Sequence, residues 1–225
     1  MKKILLILIA IILVGCQSTP SENMNTITNQ ASSETQEQSG KDNGKVLVAY
    51  FSRVGNTDFP ENTDTSSSAS VIVEDQQLVG NTEYLANLIV EQTGGDKFLI
   101  QTQTPYTADY DALVDEQQGA RAQNLRPALA SHVENFEDYD VIYLGFPNWW
   151  GGMPMPLYTF LEEYDFSHKT IIPFNTSGGS GFSNAIEDIQ ELCPQATVLD
   201  GLTINGSQVQ DAEDDVVSWI QEAQE

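Results

Sequence analysis

The segment Ser52-Arg53-Val54-Gly55-Asn56-Thr57 brings small and hydroxyl residues together directly after an apolar run, Lys45 to Phe51. Residues of this kind wrap backbone N–H groups around an anion, so the segment reads as an anion-binding loop. It lacks the lysine of the triphosphate-binding G-x-x-x-x-G-K-[ST] pattern and contains no G-x-G-x-x-G, which argues against nucleoside triphosphates and pyrophosphates. Further on, Gly80-Asn81-Thr82-Glu83 repeats the Gly-Asn-Thr signature at the start of a helical pattern. Two more loops carry candidate chemistry. Pro147-Asn148-Trp149-Trp150-Gly151 sets two adjacent indoles beside glycines, an arrangement suited to a planar aromatic ligand. Thr176-Ser177-Gly178 opens a loop rich in backbone donors that can approach a ligand closely. Each loop alone also has a plain reading: a turn, partly buried packing, or a connector. The near match Gly179 to Asn184 to a dinucleotide fingerprint lacks its third glycine and follows the wrong strand, and is read as chance.

The elements around these loops give the loops their meaning. Lys45–Phe51 is short, apolar and β-branched, as expected of a strand buried on both faces. Helical spacing follows over 82–92, ending at Gly94-Gly95. The alternation then repeats: strand 96–101, helix 110–123, strand 140–146, helix 155–164, strand 170–175, helix 182–192, strand 197–204 and helix 211–222. Crossovers of this length require parallel strands with helices on both faces. The expected fold is therefore an α/β, doubly wound, five-stranded parallel sheet of order 2-1-3-4-5, with an insertion over 58–79 after the first strand. Ligands of such sheets bind beyond the carboxyl ends of the strands, at the switch point between strands one and three. The loops after strands one, three and four converge there. Within the insertion, 69–73 and 78–79 are candidates for a small hairpin, either covering the site or decorating the edge.

The N-terminus is a different kind of segment. Lys2 and Lys3 precede an unbroken apolar run from Ile4 to Val14, too short to span a bilayer. The run closes on Leu13-Val14-Gly15-Cys16, which resembles the lipobox of bacterial lipoproteins. That resemblance implies a signal peptide over 1–15 and lipidation of Cys16, whose two acyl chains suffice for stable anchoring. Residues 17–43 are mostly Ser, Thr, Asn, Gln and Glu, and cannot offset their ordering entropy by burial. They read as a tether with an end-to-end distance of roughly 30 Å, carrying a single folded domain over 45–225. The expected location is the outer face of the cell membrane.

Charge and cysteine count exclude several classes. Nine Lys and Arg against 33 Asp and Glu give a net charge of −24. Loss of Lys2 and Lys3 with the signal peptide would make it −26, which argues against nucleic-acid binding and favours basic partners. Two cysteines provide neither a disulfide framework nor a cysteine-ligated cluster. His132 and His168 read as surface or packing residues, Cys193, at a helix end before Pro194, as a core thiol, and Tyr106, next to Pro105, as a surface tyrosine. No metal site and no catalytic residue emerge.

From Lys45 to its end the chain resembles flavodoxins, above all flavodoxin-like proteins of Gram-positive bacteria. In that family a Ser/Thr-x-Thr-Gly-Asn-Thr loop holds the phosphate of FMN. Ser52, Gly55, Asn56 and Thr57 fit it, while Val54 stands where the family has a hydroxyl. The family loop runs straight into the first helix, whereas here the insertion intervenes, so the motif is split or duplicated. Ser52 and Arg53 are expected to contribute from the strand side and Asn81 and Thr82 from the helix side. The resemblance further implies that Pro147, Asn148, Trp149, Trp150 and Gly151 line the flavin ring, one indole stacking on it, and that Thr176, Ser177 and Gly178 face its pyrimidine edge. Gly151 has the freedom to flip its backbone toward the reduced ring. The implied function is FMN-dependent electron transfer by a monomer that meets a redox partner protein or a membrane electron donor. The alternatives are an FMN-dependent oxidoreductase acting on a quinone-type acceptor, or a binding domain that has lost the flavin.

Overall fold

A computed structural model describes residues 44–60, 63 and 70–223. The expected signal peptide, Cys16 and the tether lie outside the described residues. Strand β1 (Lys45–Tyr50) is followed by an antiparallel hairpin, β2 (Val71–Glu74) and β3 (Gln77–Gly80). The chain continues through α1 (Asn81–Thr93), β4 (Asp96–Leu99), α2 (Tyr110–Ala122), β5 (Tyr139–Pro147) and α3 (Met155–Glu163). It ends with β6 (Thr170–Ser177), α4 (Ala185–Leu192), β7 (Thr197–Val198), β8 (Leu202–Asn205) and α5 (Glu213–Ala223).

The main sheet runs β4-β1-β5-β6-β7, with β8 also on β6, and every pairing in it is parallel. This is the expected doubly wound 2-1-3-4-5 order. Strand periodicity divides the core in two. Leu47 and Ala49 of β1 face a cluster with Leu113 of α2, Phe160 of α3 and Ile189 of α4. Val48 and Tyr50 face the other way, against Leu85 and Ile89 of α1 and Val216 and Ile220 of α5. Both sheet faces are thereby covered, which is why β1 reads as a nearly continuous apolar run.

The insertion ends in the expected hairpin. Its turn residues Asp75 and Gln76 both take positive φ, the geometry that matches the twist of a two-residue hairpin. Asn81 donates its N–H to the Ser70 carbonyl, so the strand pairing runs directly into the start of α1. Three boundaries depart from the sequence reading. The fifth strand is broken between β7 and β8: Gly201 packs so tightly that a Cβ there would lie 2.5 Å from the Pro173 carbonyl, and the Trp219 indole donates to the Asp200 carbonyl at 3.3 Å. Helix α4 starts at Ala185 rather than Phe182, because Ser183 takes a positive φ of 50°. Residues 206–211 form a 3-10 turn, and α5 follows it.

Candidate functional site

A cavity of about 840 Å³ opens at the carboxyl ends of β1, β5, β6 and β8, where a sheet of this order places its ligands. Among the residues singled out from sequence, Arg53, Asn81, Asn148, Trp149, Trp150, Thr176, Ser177 and Gly178 line it. Among the described residues no group of three or more His, Cys, Asp or Glu is placed to hold a metal ion.

One end of the cavity is built to receive an anion. Arg53 is only 1% exposed. Its Nη2 donates to the carbonyls of Thr107 and Ala108, both at 3.2 Å, while Nε and Nη1 have no partner among the described residues. Burial pulls its pKa below the ordinary arginine value, because removing a cation from water penalises the charged form. Next to it, the Ser52 hydroxyl is buried without a partner among the described residues and presses on Gly80, where a Cβ would fall 1.8 Å from Ser52 Oγ. Only glycine fits at Gly80. That residue caps α1 with no side-chain hydrogen bond, leaving the positive end of a 13-residue helix open. Asn81 donates from Nδ2 to the Gly206 carbonyl at 3.2 Å, and its buried Oδ1 has no partner among the described residues. Thr82 lies deeper, its hydroxyl 3.1 Å from that of Thr176.

The first Gly-Asn-Thr segment points elsewhere. Asn56 is buried and fully engaged: Nδ2 donates to the carbonyls of Ser52 (2.9 Å) and Ile100 (3.0 Å). Its Oδ1 accepts from the Thr102 N–H (2.8 Å) and hydroxyl (3.1 Å). Gly55 offers its carbonyl to Gln101, and Thr57 forms a bridge with Tyr106. Ser52, Gly55, Asn56, Thr57, Thr82, Pro147 and Gly151 do not line the cavity.

The other end is aromatic. Trp149 and Gly152 exchange backbone hydrogen bonds at 2.9 and 3.2 Å around Trp150 and Gly151, whose φ values are 56° and 75°. Left-handed backbone at a tryptophan is rare and strained, a feature that clusters at ligand sites. The turn holds Trp150 half-exposed at the cavity, whereas Trp149 packs edge-on against Phe51 (5.3 Å) and Tyr106 (5.8 Å). Asn148 staples the turn, donating to the Gly181 carbonyl at 2.7 Å and accepting from the Gly151 N–H at 3.1 Å. A flip of the Gly151 carbonyl would break the bond it accepts from the Asn184 N–H at 3.1 Å. Pro147 ends β5 opposite Thr176. Ser177 is already loaded, its Oγ accepting from the N–H groups of Gly179 and Gly181, while Gly178 has open space around it.

One expectation is corrected. Tyr106 is 7% exposed, wedged beneath Trp149 and against Phe51, because the turn at Pro105 directs it inward. Burial raises its hydroxyl pKa above the usual value. Of the two roles open to the hairpin, bordering the site is the one observed, with Ser70 to Ile72 in the wall, and the sequence reading missed two further parts of that wall: Tyr110, Leu113 and Gln117 on α2, and Asn205 to Ser207 after β8. The last was within reach, since Asn205-Gly206-Ser207 is itself a loop after a strand. The α2 residues carry no such signal.

The family model for flavodoxins designated Flavodoxin_4 matches residues 70–223. The chain belongs to the flavodoxin family. The match takes in Gly80–Thr82 and begins after Ser52–Thr57. A flavoprotein structure from Bacteroides uniformis is 33% identical, with 79% of this chain and 98% of that one covered and a TM-score of 0.60. A second, from Bacteroides eggerthii, is 27% identical, with 77% and 98% covered and a TM-score of 0.56. A flavoprotein from Lactobacillus acidophilus, solved in complex with FMN, is 19% identical over 75% of this chain and 97% of that one, with a TM-score of 0.52, and speaks for the shared fold alone. No curated protein matches the sequence. FMN is accordingly the cofactor of this flavodoxin, and the residues present fit it: a buried cation with no carboxylate partner among the described residues and an open helix N-terminus at one end, a presented indole at the other.

Proposed function

We propose that this flavodoxin is an FMN-carrying electron-transfer protein tethered through Cys16 to the outer face of the bacterial membrane. The supporting observation is the cavity's division into an anion-receiving end and an aromatic end, matching the phosphate and the ring of one ligand. FMN supplies the electron chemistry, while the chain binds, orients and sets the electrostatics. Arg53 and the start of α1 would hold the phosphate, Trp150 would cover the ring, and Thr176 to Gly178 would border its polar edge. Asn81 Oδ1, an acceptor lacking a donor, suits a ribityl hydroxyl.

A net charge of −26 on the mature chain disfavours adding negative charge to the flavin on reduction. Each carboxylate contributes little: about 0.4 kcal/mol at about 10 Å in water, screened further by salt. The same charge steers basic partners, either a redox protein or a membrane electron donor. With a tether of roughly 30 Å, the domain can meet such partners without leaving the membrane.

The test is a visible-absorbance titration of the full-length chain in detergent with FMN. Saturable binding that weakens about tenfold or more in Trp150→Ala supports the reading. No saturable binding up to about 50 µM FMN, weaker than about −6 kcal/mol, overturns it. Steady-state turnover of a reduced nicotinamide with a quinone would replace carrier by oxidoreductase.

A further inference from the structure

The turn that presents Trp150 holds two consecutive residues, Trp150 and Gly151, in left-handed backbone. Such backbone is costly at a tryptophan and persists only where its surroundings over-determine it. Three fastenings have been described or lie within the turn: the Trp149–Gly152 backbone pair, Asn148 Oδ1 accepting from the Gly151 N–H, and the Gly151 carbonyl accepting from the Asn184 N–H. A fourth comes from another element. Arg121, in the last turn of α2, sets the forked end of its guanidinium over Gly152, where a Cβ would fall 2.7 Å from both Nη1 and Nη2 and 3.1 Å from Cζ.

The arginine is itself held from two other helices. Asp188 of α4 faces it at 4.0 Å and also accepts from the Tyr158 hydroxyl of α3. An ion pair so long, on a side chain 32% exposed, contributes little to stability, so pairing alone does not account for where Arg121 sits. The bare backbone of Gly152 does, because any larger residue would occupy the space that the guanidinium fills. Arg126 is the contrast: it holds Glu162 at 2.6 Å and lies over the Tyr158 ring rather than on the turn. Arg121 does not line the ligand cavity, so what it does for a ligand must pass through Gly152.

We infer that Arg121 is a positioning residue for the flavin ring: seated on Gly152, it locks the strained Trp150 turn in the conformation that receives the ring, and so sets FMN affinity without touching the cofactor. The inference rests on the reading above in which Trp150 covers the ring.

The experiment uses the full-length chain in detergent and measures the FMN dissociation constant by flavin fluorescence, the near-ultraviolet circular dichroism of the tryptophans before FMN is added, and the urea midpoint. The variants are Arg121→Ala, Gly152→Ala, the two combined, and Arg126→Ala. Arg121→Ala should weaken FMN about tenfold and reduce the tryptophan signal, with a urea midpoint within about 0.5 M of the wild type. Gly152→Ala, whose methyl group displaces the guanidinium, should weaken FMN to a similar degree, yet by less than about twofold when Arg121 is already alanine, since both changes remove one contact. Arg126→Ala should leave FMN affinity within about twofold. An arginine that merely adds stability would lower the midpoint and leave the tryptophan signal and the coupling to Gly152 untouched. Unchanged FMN affinity or an unchanged tryptophan signal in Arg121→Ala, additive losses in the double variant, or an equal defect in Arg126→Ala would overturn the inference while leaving flavin binding intact. If the wild type does not bind FMN, the functional reading itself falls and the inference falls with it.

Discussion

Replacing Asn56 with alanine asks which Gly-Asn-Thr segment is scaffold and which is site. The Asn56 side chain is 2% exposed and makes four hydrogen bonds, between 2.8 and 3.1 Å, joining the loop after β1 to the segment after β4. Alanine leaves the carbonyls of Ser52 and Ile100 and the N–H of Thr102 buried without these partners, whereas the Thr102 hydroxyl keeps Thr104. At about 1 kcal/mol net for each bond, with more for groups stranded away from water, the loss is about 4 kcal/mol. That is a large part of an ordinary domain's stability. With a urea m-value of about 2 kcal/mol/M the midpoint should fall by about 2 M. Flavin affinity of the remaining folded protein should change less than about threefold, below 1 kcal/mol. Asn81→Ala should behave in the opposite way, since its side chain makes one bond at 3.2 Å and strands its own Oδ1: stability shifts by under about 1 kcal/mol and FMN binding weakens about tenfold. A midpoint shift below about 0.5 M for Asn56→Ala, or a flavin defect without a stability defect, would refute the division.

Other consequences are checked as directly. Burial pushes the Cys193 thiol up to about 11, so it should resist alkylation at pH 8 in the folded protein and react on unfolding. Because the unfolded thiol ionises first, near its ordinary value of 9.0, the unfolded state binds fewer protons between the two values, and stability should decline as pH rises through that window; a flat urea midpoint from pH 9 to 11 would contradict this. Tyr158 and Tyr164, each raised to about 12 chiefly by burial, should extend the decline upward. Cys16→Ser should release the protein from the membrane fraction, since the apolar run before it is too short to span; full retention would refute lipid anchoring.

Parallel pairing in the sheet was legible because each crossover declared itself: helical patterns between β-branched runs leave it as the one economical arrangement. Boundaries were legible only where local chemistry decides them, as at Gly94, whose φ of 67° ends α1. They failed where packing decides, as at Gly201, whose contacts with Pro173 and Phe182 are invisible in sequence. In the site, loops after strands could be read by rule. The wall from α2 could not, because Leu113 also belongs to an ordinary core stripe. Tyr106 was misread because its neighbour Pro105 signals a turn but not the direction in which the turn aims the ring.

The two Gly-Asn-Thr segments divide between them what one uninterrupted loop would have to do alone. A loop that leaves a strand and enters a helix must be fastened to the sheet and must also keep donors free for an anion, and an asparagine engaged in four bonds cannot serve both demands. Here the insertion separates the demands: Asn56 fastens the strand side, while the hairpin delivers Gly80 against Ser52 and starts α1 uncapped. The pairing of Val71 with Gly80 and the Asn81 N–H bond to Ser70 make the hairpin part of the helix entry, and Ser70 to Ile72 then form wall. Deleting 54–78, the first Gly-Asn-Thr segment with nearly all of the insertion, so that Arg53 joins Val79 directly would therefore remove the fastening at Asn56 and the hairpin wall together. Such a chain must lose stability even if the anion-receiving end survives, and a shortened protein as stable as the parent would show that the first segment carries no structural load.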